Sequence, residues 1–216
     1  MNHPAELAIN QYLEDATSGK SSMSEETITQ IGTDVMDAMR RQFGGGNKRD
    51  EFRLRMSNIG KPTCQLWFAK NKPETALPKP TTFVMNMLLG DIVEAAFKGI
   101  IKEAGVPYED EDNFITLELG GETIKGSYDL VMDGALDDVK SASDWSYRNK
   151  FASYDTLAKS DPFGYVGQLA GYTKATGKKV GGWWVVNKAN GNIKYVPADG
   201  LVLDDEIAKL EETVKT

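Results

Sequence analysis

The sequence predicts an α/β fold with a mixed sheet, and three observations lead to that prediction. Helical patterns flank a run of short alternating segments between residues 113 and 143. Glycine-containing turn pairs separate those segments, and another, Asn190-Gly191, follows near the C-terminus. A further helical pattern at 161–177 is interleaved among the strands, which favours α/β over segregated classes.

Residues 1–50 predict a helical appendage that ends in a glycine-rich connector. The segment SMSEETITQIGTDVMDAMRRQF opens with Ser and Glu capping signals. Its apolar residues recur on one helical face, which comprises Ile28, Ile31, Val35 and Met39. GGGNKRD, 44–50, has the composition of a flexible connector. We therefore expect 51–216 to form the main domain, with the N-terminal helices packed on it.

The main domain begins with a long predicted helix and continues with strands. The helix covers 81–105, ends at Gly105, and has a broad apolar face of Met85, Leu88, Leu89, Ile92, Val93, Ala96 and Ile100. Turns at Gly120-Gly121 and Asp133-Gly134 then predict hairpins. DPFGYVGQLAGYTKATG predicts a helix with Asp161 as N-cap, Pro162 at the first position and Gly177 at the end.

Composition narrows the function class. No apolar run approaches the ~18–20 residues that span a bilayer, and the N-terminus lacks the features of a signal peptide. The single cysteine, Cys64, excludes an intrachain disulfide and any multi-cysteine metal site supplied by this chain. We expect a cytoplasmic protein without a membrane partner, with Cys64 as a small buried hydrophobe and no role for His3 in a mobile N-terminus.

Charge is unevenly distributed along the chain. The net charge of −7 argues against a polyanionic partner, yet residues 40–72 hold nine Arg or Lys and two acids. This distribution fits one basic surface on an acidic body. A scattered, solvated surface is the alternative.

The stretch GSYDLVMDGALDDVKSAS, 126–143, holds the most informative cluster. If Asp133-Gly134 is a hairpin turn, Asp129 lies near the end of the first strand, while Asp138 and Lys140 share one face of the second. Two carboxylates and a lysine are costly to bury together without a function. Carboxylate oxygens suit Mg²⁺ or Mn²⁺, and the lysine can orient water or stabilise phosphate charge. This set predicts metal-assisted phosphodiester hydrolysis.

These residues resemble the signature of the PD-(D/E)XK nuclease superfamily, in its RecB-like and phage exonuclease branch. Besides Asp129 and Asp138-Val139-Lys140, LGDIVE at 89–94 resembles the helical first motif, and QLAGY at 168–172 resembles the QxxxY motif. Arg55-Met56-Ser57, with Cys64, resembles the segment before the first motif. The resemblance covers about 54–186. Each motif alone is weak, and their order and spacing are the specific part.

The resemblance implies a restriction-endonuclease-like core, with a mixed central sheet of about four strands flanked by helices. It implies metal ligands at Glu94, Asp129, Asp138 and the Val139 carbonyl, with Lys140 acting on the attacking water. Gln168 and Tyr172 would lie beside them. Mg²⁺ is the implied cofactor, with Mn²⁺ as substitute. The iron–sulfur cluster of some branch members needs four cysteines, so none is expected here.

Several of these assignments have ordinary structural alternatives. Glu94 could pair with Lys98 at i,i+4, and Asp138 with Lys140 could be a surface pair. Asp137 could replace Asp138, although only Asp138 has the two-residue spacing to Lys140. Gln168 and Tyr172 share one helical face, and the small Gly164, Gly167 and Gly171 would let that helix approach a strand or a nucleic-acid backbone closely. A plain packing face is the alternative. Trp145, Trp183 and Trp184 are expected in the core or on the sheet rather than as base-stacking platforms.

The predicted partner is DNA, single- or double-stranded, bound with little sequence specificity. Candidate DNA contacts are Arg55, Ser57, Lys61, Arg148 and Lys150. The predicted function is that of a metal-dependent exonuclease leaving 5′-phosphates, in phage-type recombination, degradation or processing. If the chain is phage-encoded, it would act in the host cytoplasm, where a single-strand annealing or replication protein is a conceivable partner. The alternatives are a flap endonuclease, a non-catalytic nucleic-acid-binding module, or an α/β protein with an accidental D-x-K.

Overall fold

The computed structural model describes residues 3–44 and 52–216. Within these ranges the helices are α1 (Pro4–Thr17), α2 (Glu25–Phe43), α3 (Thr63–Asn71), α4 (Phe83–Glu103), α5 (Asp144–Arg148), α6 (Tyr154–Lys159), α7 (Tyr165–Thr176) and α8 (Leu203–Lys215). The strands are β1 (Phe114–Leu119), β2 (Glu122–Ser127), β3 (Leu130–Met132), β4 (Ala135–Ala142), β5 (Lys179–Asn187) and β6 (Ile193–Pro197). The predicted α/β class is confirmed.

The central sheet has four strands in the order β3-β4-β5-β6. β4 and β5 run parallel, whereas β3–β4 and β5–β6 are antiparallel, so the sheet is mixed as predicted. The parallel pair is connected through α5, α6 and α7, as a parallel connection requires. β1 and β2 form a separate two-stranded sheet.

The predicted turns produce the hairpins. Asp133 and Gly134 both have positive φ, 51° and 73°, the conformation that a two-residue hairpin turn of type I′ requires. The turn therefore fixes the register, in which Met132 pairs with Ala135 and Leu130 with Asp137. Gly120 and Gly121 also have positive φ, 62° and 88°, and they join β1 to β2.

Apolar side chains pack on both faces of the sheet and form two cores. On one face, Trp183 packs with Leu136 and Leu169 of α7. On the other face, Trp184 packs with Phe97 of α4 and with Ile9 of α1. Because side chains alternate along a strand, the two adjacent tryptophans of β5 enter different cores. Both are fully buried, which confirms their expected place in the core.

The N-terminal helices contribute to the main body. Ala5 and Ile9 of α1 complete the core around Trp184, and the Glu6 carboxylate accepts a hydrogen bond from the Tyr195 N–H at 2.6 Å. His3, to which no role was assigned, caps α1 by accepting the Ala5 N–H and packs against the Trp184 ring. The expected absence of a role for His3 was therefore wrong.

The apolar faces of α2 and α4 differ from those predicted. In α2, Thr27 and Ala38 are buried, while Ile28 and Met39 are exposed. In α4 the buried positions are Leu88, Ala95, Phe97, Gly99 and Ile101, and Met85 and Leu89 are exposed. α4 is packed between α2 on one side and α1 and β4 on the other. Contact on several sides is not captured by a single-face pattern.

Three local predictions in the rest of the chain also need correction. α7 begins at Tyr165 with Gly164 as its N-cap, so Pro162 lies in the preceding turn and not at the first helical position. Cys64 is exposed on α3 rather than buried. The acidic C-terminal segment forms α8, which was not predicted. The predicted end of α7 at Gly177 is confirmed, and most of the 44–50 connector lies outside the described residues.

None of the helices in the described ranges combines the length and apolarity that a bilayer crossing needs.

Candidate active site

The β3–β4 hairpin brings Asp129, Asp138 and Lys140 together. Asp129 lies immediately before β3, not near the end of a first strand as predicted. Its Oδ2 accepts the Val139 N–H at 2.6 Å, which continues the ladder between the two strands. Asp138 and Lys140 lie two residues apart on β4, and their Oδ2 and Nζ atoms are 2.5 Å apart. The shared strand face places an ion pair beside a second carboxylate.

Asp137 belongs to the opposite face of β4. It is fully buried, and it accepts hydrogen bonds from the Gly182 N–H, the Trp184 indole N–H and the Tyr195 hydroxyl at 2.9, 3.2 and 2.8 Å. These donors satisfy its carboxylate within the core. The structure therefore separates the two adjacent acids, with Asp138 beside Lys140 and Asp137 behind the sheet.

α7 supplies the next side chain. The Gln168 Oε1 accepts a hydrogen bond from the Lys140 Nζ at 3.3 Å, and Tyr172, four residues further on, shares the Gln168 face of α7. Tyr172 is buried, and its pKa is raised by burial and by the charges of Asp138 and Asp129. The hydroxyl therefore stays protonated and can serve as a donor.

Glycines allow α7 to approach the segment before α3. A Cβ added at Gly167 would lie 2.6 Å from the Gly60 Cα, and one added at Gly171 would lie 2.8 Å from the Ile59 Cδ1. The predicted close approach of α7 is therefore made to residues 56–60. That contact sets where Gln168 lies relative to Lys140.

Glu94 reaches the same region from α4 but has its own lysine. Its carboxylate pairs with the Lys98 Nζ at 2.9 Å, and that nitrogen lies 3.5 Å from Asp110. Burial raises the pKa of Glu94, and the nearby Asp129 carboxylate raises it further. The helix-surface alternative is thus present as a contact, and Glu94 also shares the electrostatic environment of Asp129.

Burial is the largest cause of the raised pKa values of the carboxylates in the site. Burial, followed by the charge of Asp138, raises the pKa of Asp129 to about 7. Burial likewise raises the pKa of Asp138, against the opposing charge of Lys140. Burial acts to lower the pKa of Lys140, but Asp138 and Asp129 raise it above its ordinary value, so the ammonium stays charged. Clustered, perturbed titratable groups are typical of functional sites.

The donor types suit a hard divalent cation. Glu94, Asp129 and Asp138 offer carboxylate oxygens, and mutual repulsion among such groups is relieved by a bound cation. Among residues 3–44 and 52–216, however, no three acidic, histidine or cysteine side chains gather into a group that could hold a metal ion. Lys98 and Lys140 balance the acids instead. The carboxylate oxygens of these residues are of the type that Mg²⁺ prefers. In this structure Glu94 is paired with Lys98.

Two aromatic residues adjoin the site and were missed in the sequence. The Lys140 Nζ lies 5.1 Å from the Tyr165 ring centroid, and the Phe163 ring stacks on Tyr165 at 5.5 Å. Tyr165 stands three residues before Gln168, so both share one face of α7. That spacing could have identified Tyr165. Phe163 lies outside any periodic element, and no signal in the sequence identifies it.

The five predicted DNA contacts are not all near Lys140. The Lys150 Nζ lies 5.8 Å from the Tyr165 ring centroid, and Lys61 follows Gly60, which abuts Gly164. Arg55 forms a backbone bridge to Lys125, and Ser57 is exposed. Arg148 is exposed and pairs with Asp144 at 3.0 Å. Trp145, expected in the core or on the sheet, is 67% exposed.

A cleft of about 1180 Å³ opens beside Glu94 and Lys98, between α2, α4 and residues 105–111. Its walls carry seven acids, Asp34, Asp37, Asp91, Glu94, Glu109, Asp110 and Glu111, against Arg41, Lys98 and Lys102. An excess of carboxylates repels a phosphate backbone. The candidate site therefore has an acidic side at the cleft next to Glu94, whereas Lys150 lies on the α7 side.

Comparison with known proteins gives little. No family model and no curated protein matches the chain. A solved structure described as that of SSO0001 aligns with 83% of this chain and 82% of its own length, at 12% identity and a TM-score of 0.47. This similarity is too weak to transfer a function.

Proposed function

We propose that the protein is a Mg²⁺-dependent deoxyribonuclease, an exonuclease that leaves 5′-phosphates in phage-type DNA recombination, degradation or processing. The observation that carries the proposal is the Asp138–Lys140 ion pair, which lies beside Asp129 and is bonded to Gln168. Carboxylates that can bind a metal ion, with a buried lysine held beside them by a neighbouring helix, are groups that support phosphodiester hydrolysis. The sequence resemblance supports the same reaction.

Glu94, Asp129, Asp138 and the Val139 carbonyl would hold the metal. When bound, Mg²⁺ supplies Lewis-acid stabilisation of phosphoryl charge and lowers the pKa of a bound water. Lys98 pairs with the Glu94 Oε1 at 2.9 Å, so Glu94 would take part through its other carboxylate oxygen.

Lys140 acts as a donor in this mechanism. Its raised pKa keeps the ammonium protonated, so it can hold the attacking water or a phosphate oxygen. Gln168 fixes the ammonium position through the 3.3 Å hydrogen bond. Tyr172 lies four residues after Gln168 on α7, so both side chains belong to the helix face beside Lys140. Preorganised donors of this kind stabilise developing charge without reorganisation.

Hydrolysis of linear and covalently closed DNA with Mg²⁺, Mn²⁺ or EDTA tests the proposal. We expect metal-dependent loss of linear DNA alone, with new 5′-phosphate ends. Lys140→Ala should abolish it. Lys209→Ala is the matched control because Lys209 is an exposed α8 lysine with a single ion pair to Glu206, and it should retain full activity.

The other outcomes separate the alternatives. Cutting of closed circles would replace the exonuclease with an endonuclease of the flap or structure-specific kind. DNA binding without hydrolysis in any metal would leave a nucleic-acid-binding module. Loss of activity in Lys209→Ala as well as Lys140→Ala would contradict the assignment of the site.

A further inference from the structure

We propose that Phe163 and Lys150 form a stacking site for an unpaired nucleobase close to the scissile phosphate, so that the substrate end is single-stranded or frayed. This inference rests on the proposed function for the position of the scissile phosphate. It goes beyond that function by naming the strandedness of the substrate and the residues that read it.

Phe163 is the outer member of an aromatic stack whose middle ring, Tyr165, adjoins the site. Its ring is stacked on Tyr165 at an interplanar angle of 20°, and Tyr165 is stacked on the buried Phe151 at 26°. Lys140 contacts the Tyr165 ring. Phe163 itself is 56% exposed. The Phe163 ring is therefore held by its contact with Tyr165 and remains partly open to solvent.

The turn that carries Phe163 is held by its own hydrogen bonds. Asp161 accepts the Gly164 N–H at 3.0 Å through Oδ1 and the Val166 N–H at 2.8 Å through Oδ2. Gly164 has a φ of 77° and packs against Gly60. A large side chain at 163 thus projects from a constrained turn, and little conformational entropy remains to be lost when a ligand stacks on it.

A cation lies beside the exposed ring. The Lys150 Nζ is 4.6 Å from the Phe163 ring centroid and 5.8 Å from that of Tyr165. A positive charge next to an aromatic platform is the combination that proteins use for single strands, since the base stacks and the phosphate meets the cation. A basic protein surface would instead be repelled by Lys150, and a plain apolar partner would leave that charge unpaired.

The distance fits a nucleotide near the reaction. Through Tyr165, the Phe163 ring centroid lies within about 11 Å of the Lys140 Nζ. One strand carries a phosphate every ~3.4 Å along the helix axis, so the platform is within roughly three nucleotides of the scissile phosphate. In a duplex the base faces there are already stacked on each other. Stacking on Phe163 therefore requires a base with an exposed face, which an unpaired base at a single-stranded or frayed end provides.

Abasic scanning provides the test. Single-stranded oligonucleotides with one abasic residue, placed at each of the first four positions from the end, keep every phosphate and lose one base. For the wild type we expect kcat/KM to fall roughly 5- to 100-fold at one position, mainly through KM. On the intact strand, Phe163→Ala should show the same fall in kcat/KM relative to the wild type. An abasic residue at the sensitive position should cause no further fall in this variant.

Two further variants separate stacking from bulk. Phe163→Tyr keeps the aromatic face and should restore the wild-type profile, whereas Phe163→Leu should behave like Phe163→Ala. Phe68→Ala removes a phenylalanine of similar exposure, 53%, on α3, and should leave the profile unchanged. Equal sensitivity of wild type and Phe163→Ala to every abasic position would overturn the proposal.

A binding readout keeps this proposal distinct from the proposed function. In EDTA, the fluorescence of an oligonucleotide with 2-aminopurine at the sensitive position should be quenched by the wild type and not by Phe163→Ala. If no hydrolysis is found with any metal, so that no sensitive position is known, 2-aminopurine is placed at each of the same four positions in turn. Quenching without hydrolysis in any metal would reject the nuclease and retain the stacking site. Hydrolysis without Phe163-dependent quenching or abasic sensitivity would retain the nuclease and reject the stacking site.

Discussion

Asp137 and Asp138 are adjacent in sequence and opposite in surroundings, because successive side chains of a strand point to opposite faces. Asp137 is satisfied by three donors, whereas Asp138 pairs with Lys140 and faces the charge of Glu94. The protein therefore stabilises one buried acid through hydrogen bonds and leaves the other in a cluster of like charges. Such clusters cost stability that a bound cation can return.

The cost is measurable at Asp129. In the unfolded chain this group titrates near 3.8, and in the folded protein near 7. The raised pKa therefore contributes to the unfolding free energy in full below pH 3.8, and this contribution is lost as the pH rises through 7. We expect metal-free Asp129→Asn to exceed wild type in unfolding free energy by on the order of 2–4 kcal/mol at pH 8, with the difference shrinking towards pH 4.

Urea unfolding in EDTA across this pH range measures the difference. Added Mg²⁺ should then stabilise the wild type at pH 8 and stabilise Asp129→Asn less. A difference that stays constant from pH 4 to 8 would contradict the raised pKa of Asp129.

At the scale of single residues, the sequence was informative where spacing determines contact. Asp138 and Lys140 could be predicted to share a strand face because side chains alternate along a strand, and the structure shows that they form an ion pair. Phe163 could not be predicted, because its exposure depends on a turn held by Asp161 and on a stack with residues distant in sequence. The exposure of Cys64 was missed for the same reason, since burial depends on what covers a helix.

At the scale of elements, glycine contacts position α7. Gly167 and Gly164 face Gly60, so the helix lies against a backbone with no side chain between them. The sequence indicated a close approach from the glycine spacing but not its partner. It also placed Pro162 inside the helix, because an Asp-Pro pair is a common helix start. Here Asp161 caps the turn through two backbone N–H groups, and the helix begins later.

We expect Gly167→Ala to lower the unfolding free energy by about 1–3 kcal/mol, since an added Cβ would meet the Gly60 Cα at 2.6 Å and the Leu210 Cδ2 at 2.9 Å. It should also reduce nuclease activity by displacing Gln168. Gly32→Ala is the control, because a Cβ at Gly32 in α2 meets nothing within 4 Å. Alanine there should add up to ~1 kcal/mol. Urea midpoints at constant m distinguish the two variants, and a stabilised Gly167→Ala would contradict the contact.

At the scale of the whole molecule, the predicted contrast between one basic surface and an acidic body takes a particular form. Acidic walls line the cleft between α2 and α4 on the Glu94 side. Lys150 lies on the α7 side, and Lys61 follows Gly60 where that segment meets Gly164. A strand that enters from the α7 side avoids the acidic cleft. The basic residues that fall in 45–51 lie outside the described part of the chain.

Among the described residues, few cations lie on the α7 side to contact the phosphates of such a strand. The salt dependence of binding should therefore be shallow. With roughly three to four phosphate contacts, log K for single-stranded DNA should fall against log salt with a slope of about −2 to −3. Lys150→Ala should reduce the slope by ~0.7, and Lys209→Ala should leave it unchanged. Titrations in EDTA between 50 and 300 mM salt measure both. An unchanged slope for Lys150→Ala would place that lysine away from the strand.

The tight turn at Asp133-Gly134 also determines the order in which the site assembles. Asp129 meets Val139 across only ten residues of chain, and hairpins close in roughly 1–10 μs. Glu94 and Gln168 arrive from helices far along the chain in either direction, and their loops cost more entropy to close. We therefore expect the repelling carboxylates to come together early in folding, before α4 and α7 surround them. A nascent chain would hold its most charged hairpin open to solvent until its core closes.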